Sequence, residues 1–285
     1  MEHSKTAKQL TRRFIAGNTI QEEIEVCQKL NAEGILATLD YLGENVTSLA
    51  EAGISRDNYL KGFDAIEHQH LQASVSIKLT QFGLDFSVDD CLRNVRPLVE
   101  RARQLGTRVE IDMEASEYTD RTLQIVHTLH QEFGCVRAVV QAYLHRTQAD
   151  IDALNTAGIP VRLCKGAYQE PEEVAIQEKP EVDRNYVKLM HVLLDHGVYP
   201  AIASHDPAII REAIRHIKAQ KLAPDRFEFQ MLYGIRRDLQ DEVVKLGYRL
   251  RLYVPYGDAW YPYFMRRLAE RPANVVFLIR NWLRR

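Results

Sequence analysis

One unit recurs along this chain and limits what it can become: a charged amphipathic stretch, a glycine, then a short apolar run rich in β-branched residues. It reads EGILATLDYL, LGTRVEIDM, FGCVRAVVQAY, AGIPVRLCKGAY, HGVYPAIASH and LGYRLRLYVPY, led by Gly34, Gly106, Gly134, Gly158, Gly197 and Gly247. Glycine tolerates the left-handed backbone that closes a helix, so each one predicts a helix end. The runs are continuous rather than alternating, as strands covered on both faces are. SVSIKL and FEFQML share that character without the glycine, giving eight strands near 35–41, 74–79, 108–113, 136–143, 161–164, 199–204, 227–232 and 250–254.

Helical patterns fill the intervals, among them SVDDCLRNVRPLVERARQ, YTDRTLQIVHTLHQEF and DPAIIREAIRHIKAQ, with Ser87 and Asp206 as expected N-caps. Alternating strands and helices require parallel pairing through right-handed crossovers. Eight such units close into an α/β fold of the (β/α)8 TIM-like barrel type; an open doubly wound sheet is the competing arrangement. A barrel needs roughly 250 residues, and the 285 residues present suit one. Residues 1–34 are expected to form an N-terminal helical segment packed on the barrel, with residues 35–285 the barrel itself.

A net charge of −2 offers no basic footprint for nucleic acid. The four cysteines are scattered without a C-x-x-C pair, which fits a reducing compartment rather than a disulfide framework or a zinc site. MEHSKTAKQLTRR lacks the apolar core of a signal peptide, and no window approaches a membrane span. The expected location is cytoplasmic, with peripheral contact at the inner face of the membrane left open.

In a (β/α)8 barrel the chemistry sits at the C-terminal ends of the strands. Polar or charged side chains close nearly every run: Lys78, Asp112, Gln141, Arg162 and Lys165, Ser204 and His205, Gln230 beside Leu232, and Tyr253. Each alone could be a satisfied rim residue. Together they suggest a shared polar ligand, because burying them unpartnered costs free energy. After the eighth run, AWYPYFMRRLAERP sets Tyr263, Arg266, Arg267 and Glu270 on one helical face, with Trp260, Phe264 and Leu268 on another. Pro262 suits the first turn and Pro272 the exit. Paired guanidiniums buttressed by a glutamate make a carboxylate or phosphate clamp; an ordinary surface salt-bridge helix is the plainer reading. Folding over the barrel mouth favours the clamp.

Absences narrow the chemistry. No glycine pattern makes a dinucleotide fingerprint, a P-loop or a nucleophile elbow. His68 with His70, and His127 with His130, fall in helical stretches and are poor metal candidates. Lys78 or Lys165 leaves open a Schiff-base aldolase, or a phosphate-binding barrel with Arg266 and Arg267 on the phosphate.

The ordered series SIKLTQFG, VEIDME, VVQAY, RLCKGAY, ASHD, FEFQMLYG, YVPYG and YFMRRLAERPAN resembles the motif series of the bacterial proline dehydrogenase family, in its monofunctional branch. The resemblance runs from the first strand to the chain end. It implies a distorted (β/α)8 barrel binding FAD, oxidising L-proline to 1-pyrroline-5-carboxylate, and passing electrons to a membrane quinone. A downstream pyrroline-carboxylate dehydrogenase is a further implied partner. Arg266 and Arg267 would hold the proline carboxylate with Lys78 as a third cation, and Glu270 would brace the arginines. Tyr253, Leu232 and Tyr263 would shape the pocket. Arg162 would lie beside flavin N5, and Asp112 would orient the basic groups around it. Met113, Gln141, Lys165, Gly166, Ala167, Tyr168, Ser204, His205 and Gln230 would contact the flavin and its tail. Gln169 stands where an aromatic residue often follows the GAY motif, and the segment before the first strand is short. A catalytically silent barrel that senses proline or partners another protein is the remaining alternative.

Overall fold

The computed structural model describes residues 14–43, 46–261 and 263. Eight strands, β1 (Leu36–Tyr41), β2 (Ala73–Lys78), β3 (Val109–Asp112), β4 (Val136–Gln141), β5 (Val161–Cys164), β6 (Ala201–Ala203), β7 (Glu228–Leu232) and β8 (Leu250–Tyr256), pair in sequence order. β8 returns to β1 in parallel, so the sheet closes and the open alternative is excluded. Helix α1 (Ile20–Ala32) precedes the barrel. Helices α2 (Leu49–His68), α3 (Val88–Gln104), α4 (Thr119–Phe133), α5 (Thr147–Thr156), α6 (Lys179–His196), α7 (Pro207–Gln220) and α8 (Arg237–Lys245) follow β1 to β7 in turn.

The helix ends obey local chemistry. Ser87 Oγ accepts from the Asp90 amide at 3.0 Å, and Asp206 Oδ1 accepts from the Ala208 amide at 3.0 Å, so both expected caps form. Five of the six repeat glycines have φ between +65° and +79°. Gly197 is different: its φ is −76°, and a Cβ there would meet the Leu193 carbonyl oxygen at 2.5 Å. Close approach, not handedness, requires glycine at that point, and the left-handed residue is Tyr199 with φ 46°. His70 also departs from expectation. It lies in the turn after α2 with φ 51°, because the helix stops at His68. His127 and His130 do lie on α4, and no metal-ligating cluster occurs among the described residues.

Along each strand the outward residues are apolar and meet the helices. On β3 these are Val109 and Ile111, and on β5 Val161 and Leu163, all at most 1% exposed. α3 answers with Cys91, Val95, Leu98 and Ala102 on one buried stripe. Each large aliphatic chain so buried contributes about 1.5–3 kcal/mol. The inward positions are polar and charged, including Ser74, Glu110, Arg137, Arg162, Glu228 and Arg251. Bulky aliphatic side chains usually fill a barrel's centre; here an ion network does.

α1 positions the mouth of the barrel. Thr19 and Glu22 form a reciprocal capping box at its start, and Ile24, Cys27 and Leu30 are buried on the side facing β1 and β8. It thereby takes the outer seam between β8 and β1, where a helix following β8 would otherwise pack. The described residues leaving β8 pack instead at the C-terminal ends of the neighbouring strands. Trp260 and Tyr263 pack with Phe14, Ile15, Leu42 and Ile235, and the last two follow β1 and β7 at their C-terminal ends. Arg266, Arg267 and Glu270, with the rest of that expected helix, lie outside the described residues. No helix among the described residues is long and apolar enough to cross a membrane.

Candidate active site

Four of the expected residues meet at the C-terminal end of the barrel. Asp112, ending β3, accepts from Arg162 Nη1 at 2.7 Å through Oδ1. Through Oδ2 it accepts from the Tyr253 hydroxyl at 3.0 Å. Lys78 Nζ, ending β2, lies 3.5 Å from Asp112 Oδ2 and 3.7 Å from Asp40 Oδ1, and donates to the Tyr253 hydroxyl at 3.3 Å. The Arg162 guanidinium carbon sits 5.5 Å from the Tyr253 ring centroid. Burial, then the Asp112 charge, pushes the Tyr253 hydroxyl well above its ordinary pKa, so it remains a donor.

Arg162 is anchored from below. Its Nε donates to Glu110 Oε2 at 3.0 Å, and its Nη2 donates to the same oxygen and to Ser76 Oγ. Burial alone would lower its pKa; Glu110 and then Asp112 outweigh this and raise it. Burial would likewise raise Glu110, but Arg162, Arg137 and Arg251 hold it below the usual carboxylate range. Gln230 Nε2 also donates to Glu110 Oε2, at 3.2 Å, and to Glu228 Oε1 at 2.6 Å.

The remaining expected contacts line the rim between β3 and β7. Met113 is buried just after β3. Gln141 is buried at the end of β4, where its Nε2 donates to the Glu114 carbonyl at 3.0 Å and its Oε1 faces the Ala167 amide at 3.4 Å. Lys165 Nζ bridges Asp183 at 2.5 Å and Asp206 at 3.0 Å, which ties the β5 loop to α6 and to the cap of α7. Gly166 has φ +124°, and a Cβ there would overlap the Tyr143 ring. Only glycine satisfies both conditions. Tyr168 follows, half-buried, in the same loop. Ser204 Oγ accepts from the Asp206 amide at 3.1 Å. His205 Nε2 accepts from the Leu232 amide at 2.8 Å, which assigns its ring proton to Nδ1. Leu232 ends β7 and packs under Trp260 and Tyr263.

Several residues of the site were not singled out from the sequence. Asp40 holds Lys78 from β1. Tyr59 on α2 donates to the Ser76 carbonyl at 2.8 Å and accepts from the Tyr41 amide at 3.1 Å. Glu110, Arg137, Glu228 and Arg251 form the network beneath. A signal was present: VEID, VRAV, FEFQ and LRLY each set one charge between apolar neighbours, as an inward residue on a covered strand must be. Lys78 and Lys165 are each engaged by two carboxylates, unlike the desolvated amine of Schiff-base enzymes.

The family model described as proline dehydrogenase matches residues 24–280. The chain belongs to the proline dehydrogenase family. Proline dehydrogenase 1 of Bacillus subtilis subsp. natto is 41% identical over 274 residues, covering 96% of this chain and 91% of that one. The Deinococcus radiodurans proline dehydrogenase is 40% identical over 280 residues, covering 96% and 90%. By contrast, the bifunctional protein PutA of Escherichia coli is 27% identical over 312 residues, with only 24% of its length covered. The likeness to family members is thus to the monofunctional ones over nearly their full extent. Among solved structures, proline utilization A of Bdellovibrio bacteriovorus inactivated by N-propargylglycine superposes with a TM-score of 0.85 at 26% identity, covering 91% of this chain and 32% of that one. Family and barrel agree with the sequence reading.

Proposed function

We propose that this protein catalyses FAD-dependent oxidation of L-proline to 1-pyrroline-5-carboxylate, with hydride passing to flavin N5 and electrons then passing to a membrane quinone. A pyrroline-carboxylate dehydrogenase would consume the product. The observation that carries the reading is the cluster of Lys78, Asp112, Arg162 and Tyr253 at the mouth of a barrel, with Trp260 and Tyr263 packed over Leu232 on its β7–β8–β1 side.

The chain's donor set suits a flavin. Arg162, Gln141 and Gln230 approach from β5, β4 and β7, while Gly166 keeps a loop backbone close to the rim where a side chain would not fit. Lys165, Ser204 and His205 continue the polar rim toward the expected tail of the cofactor. A bound flavin supplies the hydride acceptor that no side chain offers. The protein's share is orientation. Lys78 supplies positive charge for a small carboxylate, aided by Arg266 and Arg267 with Glu270 bracing them. Tyr253, fixed by Asp112, gives the substrate ring a wall, with Leu232 beside it in the β7–β8 register as the apolar side and Tyr263 completing the pocket. Lys78 and Arg162 also disfavour a further positive charge beside them, so the neutral amine of proline is the reactive form. Residues 1–34, which include α1, would support the barrel, and residues 35–285 would form the catalytic domain.

The test is turnover. Purified protein supplemented with FAD should reduce a soluble quinone analogue with L-proline as donor, and kcat/KM should rise with pH through one ionisation. Absence of proline-dependent quinone reduction in FAD-loaded protein contradicts the proposal.

A further inference from the structure

Glu110 is 0% exposed at the centre of the barrel, and side chains from nearly every strand converge on it. Oε1 accepts from Ser74 on β2 at 3.0 Å and from Thr38 on β1 at 3.4 Å. Oε2 accepts from Arg162 on β5 and from Gln230 on β7. Arg137 on β4 lies 3.4 Å from Oε2, and Arg251 on β8 lies 3.9 Å from Oε1. With β3 itself, that is seven of the eight strands; β6 contributes only Ala201 and Ala203 inward, whose short chains leave room for their neighbours. Ser74 and Thr38 fix how the carboxylate is turned. Its other oxygen is thereby aimed at two side chains from β5 and β7, the strands that flank β6.

We propose that Glu110 is a positioning residue for the reaction: one buried carboxylate sets both the place of Arg162 and Gln230 and the local charge beneath the cofactor. The inference rests on the flavin reading of the site. It goes beyond that reading, because Glu110 is fully buried below the mouth and would act through Arg162 and Gln230. The charge balance gives it leverage. Three guanidiniums, Arg137, Arg162 and Arg251, face two carboxylates, Glu110 and Glu228, with Asp112 above them as the second anion on Arg162. Removing the Glu110 charge leaves the three arginines facing Glu228 alone at this level. Reduction adds negative charge to a flavin, so a more positive field beneath it favours the reduced form. A neutral amide oxygen in place of Oε2 also weakens the hold on Arg162 Nε and Nη2 together, leaving Asp112 as its charged anchor.

The experiment compares wild type with Glu110→Gln, which keeps the shape and removes the charge. Both proteins are purified with FAD, and the midpoint potential of the bound flavin, the FAD affinity and steady-state kinetics with proline are measured. Ile111→Ala, on the same strand but facing the helices, is the control for destabilisation alone. Glu110→Gln should shift the potential positive and lower kcat/KM by roughly tenfold to a hundredfold, the scale of a lost charge-assisted hydrogen bond. Ile111→Ala should lower the melting temperature and leave the potential unchanged. Should Glu110→Gln not fold, Glu110→Asp decides: the charge stays but its reach shortens, so kcat/KM falls by roughly tenfold while the potential stays near wild type. A folded Glu110→Gln with wild-type potential and kinetics, or a Glu110→Asp with wild-type kinetics when the first variant is lost, overturns the proposal. Wild type that takes up no FAD overturns the functional reading first, and this inference with it.

Discussion

The Tyr253 hydroxyl donates to Asp112 Oδ2 at 3.0 Å, while Oδ1 of the same carboxylate accepts from Arg162 at 2.7 Å. A single side chain on β3 therefore fixes both the phenol ring from β8 and the guanidinium from β5. Replacing Asp112 with Asn keeps one acceptor and cannot serve both donors. Asp112→Asn should lower kcat/KM by roughly 10–100-fold, as expected when one buried charge-assisted bond is lost. Tyr253→Phe, which leaves the Arg162 contact intact, should lose less. Equal losses in the two variants would contradict the division of labour.

Gly166 combines φ +124° with contact against the Tyr143 ring. Gly166→Ala should cost about 1–3 kcal/mol of local strain, felt in the loop joining Lys165 to Ala167 rather than in the barrel. Weakened FAD affinity with a small change in the apoprotein melting temperature is the expected outcome, read by flavin titration and calorimetry.

Beneath the site, Arg137 pairs with Glu228 at 2.5 Å, and Arg251 pairs with Glu228 at 2.9 Å, all three of them buried. Removing one partner of such a pair strands the other charges, at about 3–5 kcal/mol. Glu228→Gln should therefore lower stability by that order in chemical denaturation, because two guanidiniums then lose their shared anion. A change below about 1 kcal/mol would place it in the range of surface pairs.

Glu23 on α1 gives a pH prediction. It is 0% exposed and neither carboxyl oxygen closes a hydrogen bond. Burial, with the Asp40 charge second, raises its pKa well above the ordinary 4.5. The folded state thus holds a neutral acid where the unfolded chain would ionise. Its contribution to stability is complete below the unfolded value and is lost as pH rises toward the folded one. Glu23→Gln, neutral at every pH, should match wild type near pH 4 and be more stable at pH 8, with the gain growing between. Thermal melts across that range check it, and a pH-independent difference would contradict it.

Much of this was legible in the sequence because the barrel repeats its own signal. Each strand carries an apolar outward face, and most helices end at a glycine that only a left-handed turn explains. The strand ends could be read because polar residues there interrupt apolar runs. The interior charges were harder. Glu110 and Glu228 sit within runs read as continuously apolar, and only closure of the sheet shows them facing the barrel centre. Asp40 is obscure for another reason: its partner Lys78 lies 38 residues along and one strand over, and no local spacing links them. Gly197 misled because one residue type serves two needs, a left-handed turn and a close approach.

The visible spectrum of the FAD-loaded protein, taken before and after anaerobic addition of L-proline, tests the central claim most directly. Bleaching of the flavin bands on addition of proline is the predicted result, and it would establish cofactor, substrate and direction of electron flow together. A bound flavin left unchanged by proline would contradict the claim.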